Sequence, residues 1–239
     1  PAPSYRIRRI PAAEWPSVRA QYETLQKSVY EPARQDDFDL FTALIGEPDA
    51  ICLAIYHGAM LPKPGAPKQT TSAVGATGTL VAACIGFPLE HQAELDGPRQ
   101  DPGLGRGDTF YSADLTVHAE HRGQGIGRAL KEAQVAAVMS AKRHDGTTRY
   151  AFMTGRNRVG VTAAMQRLNA EFGAWQVARH AGQYGEPDAA TDYYRIALTW
   201  PRLPPSAVVK PLAGPPIGAI DFDQGLERRL GDPRGHGAG

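Results

Sequence analysis

Cysteine is scarce in this chain, with two in 239 residues, Cys52 and Cys84. Each sits inside an apolar run, ICLAIY and LVAACIGF, so the expectation is a buried, reduced thiol rather than a disulfide framework. Long apolar runs are lacking as well. No stretch approaches the ~18 residues that a membrane helix needs, and no basic-then-apolar leader opens the chain. A cytoplasmic location without membrane attachment is therefore expected. Charge of one sign is not in excess: 26 basic residues face 25 acidic ones, a formal net charge of +1, which removes the global electrostatic argument for a nucleic-acid partner. Clustered metal ligands are missing too. His118 and His121 stand three apart, but no Cys or carboxylate group completes a four-ligand set, so no metal is expected.

What is present fits a globular domain: 42% of the residues are apolar and 21% charged. YRIRRI (5–10) alternates and reads as a strand, and Ala12 to Tyr30 as a helix with Pro16 in its first turn. Asp36 to Ile45 carries acidic residues first and then apolar ones at helical spacing. Strands are expected at 51–57, within 74–89, and at 109–117, with a hairpin-like loop at 58–72 and a polar loop before 109. A helix to about Arg143 follows, then a strand at 149–155, a helix from Val161 to Phe172, and strands at 175–181 and 193–200. Consecutive strands without intervening helices require a mixed, mostly antiparallel sheet flanked by helices, an α+β fold. From Pro201 the sequence is dense in Pro and Gly, apart from a short helical stretch, DQGLERRL. The expected division is a domain over 1–200 and a tail or linker over 201–239. With Pro1 in place of a methionine, the chain reads as part of a longer polypeptide, fused to a further domain.

The stretch HRGQGIGRALKEA (121–133) places three glycines, alternating with other residues, before an amphipathic helix. Glycine is unfavourable in a helix, so bare backbone must serve a purpose there. A dinucleotide fingerprint fails in both registers, since its sixth position falls on Arg128 or Leu130, and no G-K-[ST] follows. A shorter anion cradle remains, with backbone N–H groups at a helix start aimed at a pyrophosphate and Arg122 and Arg128 adding charge. A plain glycine turn between strand and helix is the competing reading. Ile126, Ala129, Leu130, Ala133 and Ala137 form the apolar stripe that packs this helix on a sheet.

Arg122-x-x-Gly125-x-Gly127, after a strand ending Leu115-Thr116-Val117, resembles the acyl-CoA-binding motif of the GNAT superfamily of N-acetyltransferases. The resemblance covers roughly residues 5 to 200, and RYAFMTGRN is similar to that family's next strand, with Asn157 at its end. It implies acetyl-CoA as co-substrate. Backbone groups of Leu115, Thr116 and Val117 would pair with the pantetheine arm and acetyl carbonyl. The N–H groups of Gly123, Gln124, Gly125, Ile126, Gly127 and Arg128 would hold the pyrophosphate, with Arg122 beside them and Asn157 on the far side. Two neighbouring strands would part to admit the arm.

Acetyl transfer needs a neutral amine, a polarised carbonyl and a protonated leaving thiolate. The family often places a Glu on the strand before the loop, at positions that fall here on Tyr111 and Ala113. Asp114 is adjacent, but alternation along a strand sends it to the opposite face unless a bulge turns it. The family's usual acid, a Tyr four residues before a glycine in the last helix, is Asn169 here. Tyr111 and Asp114 are the candidate catalytic residues, with Tyr193 and Tyr194 as substitutes by residue type. Trp15, Tyr22 and Tyr30 read as core rather than as an acceptor pocket. The function expected is N-acetylation of a small-molecule amine such as an amino acid. The alternatives are a polyketide-type decarboxylase or S-acyltransferase and a non-catalytic acyl-CoA sensor.

Overall fold

In the computed structural model the described residues are 5–58, 78–160, 163–182, 189–198 and 221–222. The helical stretch DQGLERRL, all but the first residue of the expected loop at 58–72, and nearly all of the 201–239 tail lie outside them. In chain order the elements are β1 (Tyr5–Arg9), α1 (Trp15–Val29), α2 (Phe38–Ile45), β2 (Ile51–His57), β3 (Thr79–Pro88) and β4 (Thr109–Val117). There follow α3 (Ile126–Ser140), β5 (Phe152–Arg158), α4 (Ala163–Glu171), β6 (Trp175–His180), β7 (Thr191–Ala197) and β8 (Asp221–Phe222).

The strands form one sheet in the order β6-β7-β5-β4-β3-β2-β1-β8. Every pairing is antiparallel except β4 with β5 and β1 with the two-residue β8. The mixed, mostly antiparallel sheet is as expected from the element order. The parallel step from β4 to β5 is bridged by α3, because parallel neighbours need a long crossover.

β2 and β3 are buried almost residue for residue, so both faces of the sheet must be covered. One face packs on α3, through Ile126, Leu130, Ala133, Val135 and Val138 against Leu53, Cys84 and Phe110. The other packs on α1 and α2, through Trp15, Tyr22, Leu25, Phe41 and Leu44 against Ala54, Ile85 and Phe87. Burying one such aliphatic or aromatic side chain contributes about 1.5–3 kcal/mol. Cys52 and Cys84 are free and buried, one in each layer.

Local chemistry sets the boundaries. Pro16 occupies the first turn of α1, where its missing N–H costs nothing. The Asp37 carboxylate caps α2 by accepting from the N–H groups of Asp39 and Leu40, each at 3.0 Å. The strand expected at 149–155 begins three residues later, because the Arg149 N–H bonds back to the Ala141 carbonyl just after α3 instead of to a strand. The loop before β4 is tied down at its centre. Asp101 accepts from Arg195 of β7 and from the Tyr193 hydroxyl, both at 2.7 Å and both buried.

Candidate active site

β4 and β5 pair over four rungs only, from Thr109–Phe152 to Ser112–Gly155. Beyond that rung they part. β4 stays bonded to β3 through Val117, and β5 stays bonded to β7 through Arg158. The edge of β4 that faces β5 is therefore open from Ala113 to Val117, a gap inside an otherwise continuous sheet. Leu115, Thr116 and Val117 lie along it.

The glycine loop stands at the mouth of this gap. Gly123 and Gly125 have φ of +75° and +79°, a conformation that glycine adopts without penalty. Gly125 is the residue before α3, and no side chain caps that helix start. Its first N–H groups thus have neither a helical nor a side-chain acceptor. The loop is held in place by its neighbours. Arg122 donates to the Val117 carbonyl at 3.1 Å, and the Tyr5 hydroxyl donates to the Gln124 amide oxygen at 2.7 Å. The same hydroxyl lies 3.0 Å from Nδ1 of His121, whose ring lies 5.0 Å from that of His57. The histidines beside the loop thus brace it. Burial, then His57 and His118, lower the His121 pKa. Arg128, expected to face phosphate, is ion-paired with Glu171 of α4. Asn157 is buried and accepts from the Asn169 amide at 3.4 Å.

Asp114 is the main correction to the strand-alternation rule. Ser112 stands opposite Gly86 and Asp114 opposite Ile85, so Ala113 is an extra residue in β4, a bulge. Leu115 and Val117 pack on the α3 face, whereas Tyr111, Ala113, Asp114 and Thr116 all face α1 and α2. The bulge has put Asp114 on the same face as Tyr111. Tyr111 is buried there, its hydroxyl accepting from Arg156 Nε at 3.0 Å.

Asp114 anchors a buried polar network that sequence patterning did not reveal. The Tyr22 hydroxyl lies 2.6 Å from Asp36 Oδ2 and 3.0 Å from Asp114 Oδ2, while Gln26 donates to it at 2.9 Å. The Thr116 hydroxyl is 2.7 Å from Asp114 Oδ1 and 3.0 Å from the Tyr30 hydroxyl. Tyr22 has a single proton and so can donate to only one of the two carboxylates. The other contact is a hydrogen bond only if that carboxyl brings a proton of its own. Burial, and then mutual repulsion, raise the Asp114 pKa well above the carboxylate range; burial raises that of Asp36 to about 6. Both shifts favour the protonated carboxyl in this pair. The network runs from the buried Asp114 to the half-buried Asp36, which precedes α2. Tyr22 proves to be core and network at once, whereas Tyr30 is half-buried and joins the network through Thr116.

The α3 face of the same rung carries a second polar group. Lys131 and Gln134 are fully buried on α3. The Ser112 hydroxyl donates to Gln134 Oε1 at 2.9 Å. Tyr194 of β7 crosses the bare backbone of Gly155, and its hydroxyl lies 3.5 Å from Lys131 Nζ. The sequence does contain a signal for this. Lys131, Gln134, Val135 and Val138 run at i, i+3, i+4 and i+7, a second buried stripe with two polar members. A shallow depression of about 290 Å³ lined by Phe152, Trp175 and Arg195 lies at the other end of β5, away from these groups. Among the described residues no group of three or more His, Cys, Asp or Glu could hold a metal ion, and no helix is long and apolar enough to cross a membrane.

An open sheet carrying a parting pair of parallel strands, with a glycine loop and helix start at the gap, is the fold of the GNAT N-acetyltransferases. Solved structures with this architecture match the chain in shape and only distantly in sequence. NAA60 of Arabidopsis thaliana, bound to a bisubstrate analogue, is 15% identical with a TM-score of 0.57, over 82% of this chain and 100% of that one. The ribosomal-protein-S18-alanine N-acetyltransferase of Escherichia coli is 12% identical with a TM-score of 0.53, over 82% and 94%. The Salmonella typhimurium protein yncA, a putative acetyltransferase solved with acetyl-CoA, is 15% identical with a TM-score of 0.51, over 85% and 99%. No protein-family model and no curated protein matches the sequence.

Proposed function

We propose that the chain is an acetyl-CoA-dependent N-acetyltransferase acting on the amine of a small molecule such as an amino acid. The observation that carries this reading is the open β4 edge from Ala113 to Val117, which ends at an uncapped helix start. An extended pantetheine arm has the amide groups to pair with such an edge, as an added strand does. A pyrophosphate suits the N–H groups of residues 123–128, with Arg122 beside them. Asn157 lies across the gap on β5. The structural likeness to NAA60 and to yncA, the latter solved with acetyl-CoA, supports the same cofactor.

Asp114 is the base in this reading. An alkylamine is almost wholly protonated at neutral pH, since its pKa is about 10.4. Asp114 sits at the start of the gap, on the face of α1 and α2. Its raised pKa leaves it protonated in the resting chain, so it first sends that proton through Tyr22 and Asp36 toward solvent, and the freed carboxylate then takes the amine proton. Tyr111, held by Arg156, borders the same face and orients the acceptor. Asp114→Asn keeps the shape but not the base, and is expected to lower turnover about 10²–10⁴-fold with little change in acetyl-CoA affinity.

The test is mass-resolved turnover of acetyl-CoA with pooled amines and amino acids, and in parallel with peptides bearing free N-termini. A small amine that gains an acetyl group supports the reading and names the acceptor. Acetylation of peptides alone moves the acceptor class to protein. Acetyl-CoA that neither binds nor turns over overturns the reading.

A further inference from the structure

Lys131 is a buried cation without a counter-charge. It is 1% exposed, and among the described residues no ion pair reaches it. The titratable groups that face it are Cys84 of β3 and Tyr194 of β7, whose ring lies 5.6 Å from its Nζ. Burying a lone ammonium costs several kcal/mol unless something offsets it. Two more buried polar atoms lack partners, Nε2 of Gln134 three residues along α3 and Oδ1 of Asn169, whose side chain adjoins Tyr194. Gln134 is joined to Ser112, and Asn169 adjoins both Asn157 and the Tyr194 hydroxyl. Unpaired buried polar groups of this density point to a ligand that completes them.

The place they converge on is the apex of the gap. A Cβ on Gly155 would come 2.5 Å from the Tyr194 hydroxyl oxygen and 3.0 Å from the Ser112 carbonyl oxygen. Gly155 and Ser112 form the last β4–β5 rung. The Tyr194 hydroxyl therefore hangs over the point where the two strands part. On the proposed reading, the reacting end of the acyl-CoA arm reaches this point.

We propose that Tyr194 is the proton donor to the departing CoA thiolate, and that Lys131 is the positioning cation that supplies and replaces that proton. This rests on the acyl-CoA reading above. As the tetrahedral adduct collapses, the C–S bond breaks and its electron pair stays on sulfur. The Tyr194 O–H proton passes to sulfur, and an ammonium proton of Lys131 passes to the Tyr194 oxygen. The neutral lysine regains a proton from solvent when products leave. The attacking nitrogen loses two protons, both through Asp114; one offsets the proton that Lys131 takes back from solvent, and the other is the net proton released. Burial raises the Tyr194 pKa, so the phenol alone is a poor donor. Burial lowers that of Lys131 to about 8, close to the ~8.5 of a thiol, which matches donor to acceptor.

The test needs no acceptor. Coenzyme A and its desulfo analogue are titrated into the full chain and its Lys131→Met and Tyr194→Phe variants, with thiolate ultraviolet absorbance followed from pH 7 to 10. In the wild type the bound thiol ionises at lower pH than free coenzyme A. In Lys131→Met that difference disappears. Coenzyme A binding above pH 8 then weakens about tenfold for every pH unit by which ionisation of the bound thiol moves upward, while desulfo-coenzyme A binds as before. Tyr194→Phe keeps the ring and the ammonium, loses part of the difference, and carries the same comparison if circular dichroism shows Lys131→Met unfolded. Identical thiol ionisation in the wild type and the folded variants overturns the proposal while leaving the acyl-CoA reading intact. Failure of both ligands to bind the wild type overturns that reading, and this one with it.

Discussion

At the scale of single residues, the proposed chemistry lies in groups that are buried and hydrogen-bonded to one another. Asp36 is the accessible end of the Asp114–Tyr22–Asp36 chain, and its pKa is raised from 3.8 to about 6. A carboxyl with a raised folded pKa holds its proton more tightly when folded. Its contribution to stability is complete below about pH 4 and is lost as pH rises through about 6. Urea denaturation is expected to show wild-type stability falling across this window, and Asp36→Asn to flatten the fall by roughly 1–3 kcal/mol. An unchanged slope in that variant would mean that Asp36 is solvated and uncoupled. Such couplings were illegible in the sequence. Tyr22, Asp36 and Asp114 are separated by up to 92 residues, and only the fold brings them together. Lys131 was half legible, since its helical spacing marks a second stripe that its charge disguises.

At the scale of elements, most of the fold was legible because apolar spacing and turn chemistry agree. β2 and β3 are continuous apolar runs, and Ile126, Ala129, Leu130, Ala133 and Ala137 lie buried as their spacing requires. The glycine loop was legible too, since positive φ at 123 and 125 demands that residue. Gly125→Asp sets a carboxylate at the start of α3, and is expected to abolish coenzyme A binding by calorimetry while circular dichroism stays native. Retained affinity would remove the phosphate role from this loop. Strand parity was not legible, because a bulge leaves no local mark in a stretch such as ADLTV. Gly155 is a packing constraint of β5 against β7. Gly155→Ala drives a methyl into the Tyr194 hydroxyl and the Ser112 carbonyl, and is expected to cost about 1–3 kcal/mol in urea denaturation.

At the scale of the whole molecule, one sheet separates two cores, and β4 and β5 part within that sheet. A ligand that fills this gap ties the α3 layer to β5 and β7. On the proposed reading, acetyl-CoA at about a hundred times its dissociation constant is expected to add ~2.7 kcal/mol to stability, which for a chain of this size raises Tm by roughly 5–10 °C. Differential scanning calorimetry with and without acetyl-CoA measures it, and no change in Tm would count against a site in the gap.

The extra residue at Ala113 reaches beyond the site it serves. Along β4 the rhythm of which positions tolerate charge has a beat of two, and at 113 it skips. Upstream of the skip, odd-numbered residues face α1; downstream, even-numbered ones do. The strand is in effect two half-phrases in opposite phase, joined at the point where it leaves β5. Removing Ala113 would bring the halves into step and leave the carboxylate facing α1, whereas flattening the bulge with Ala113 retained would turn it toward α3.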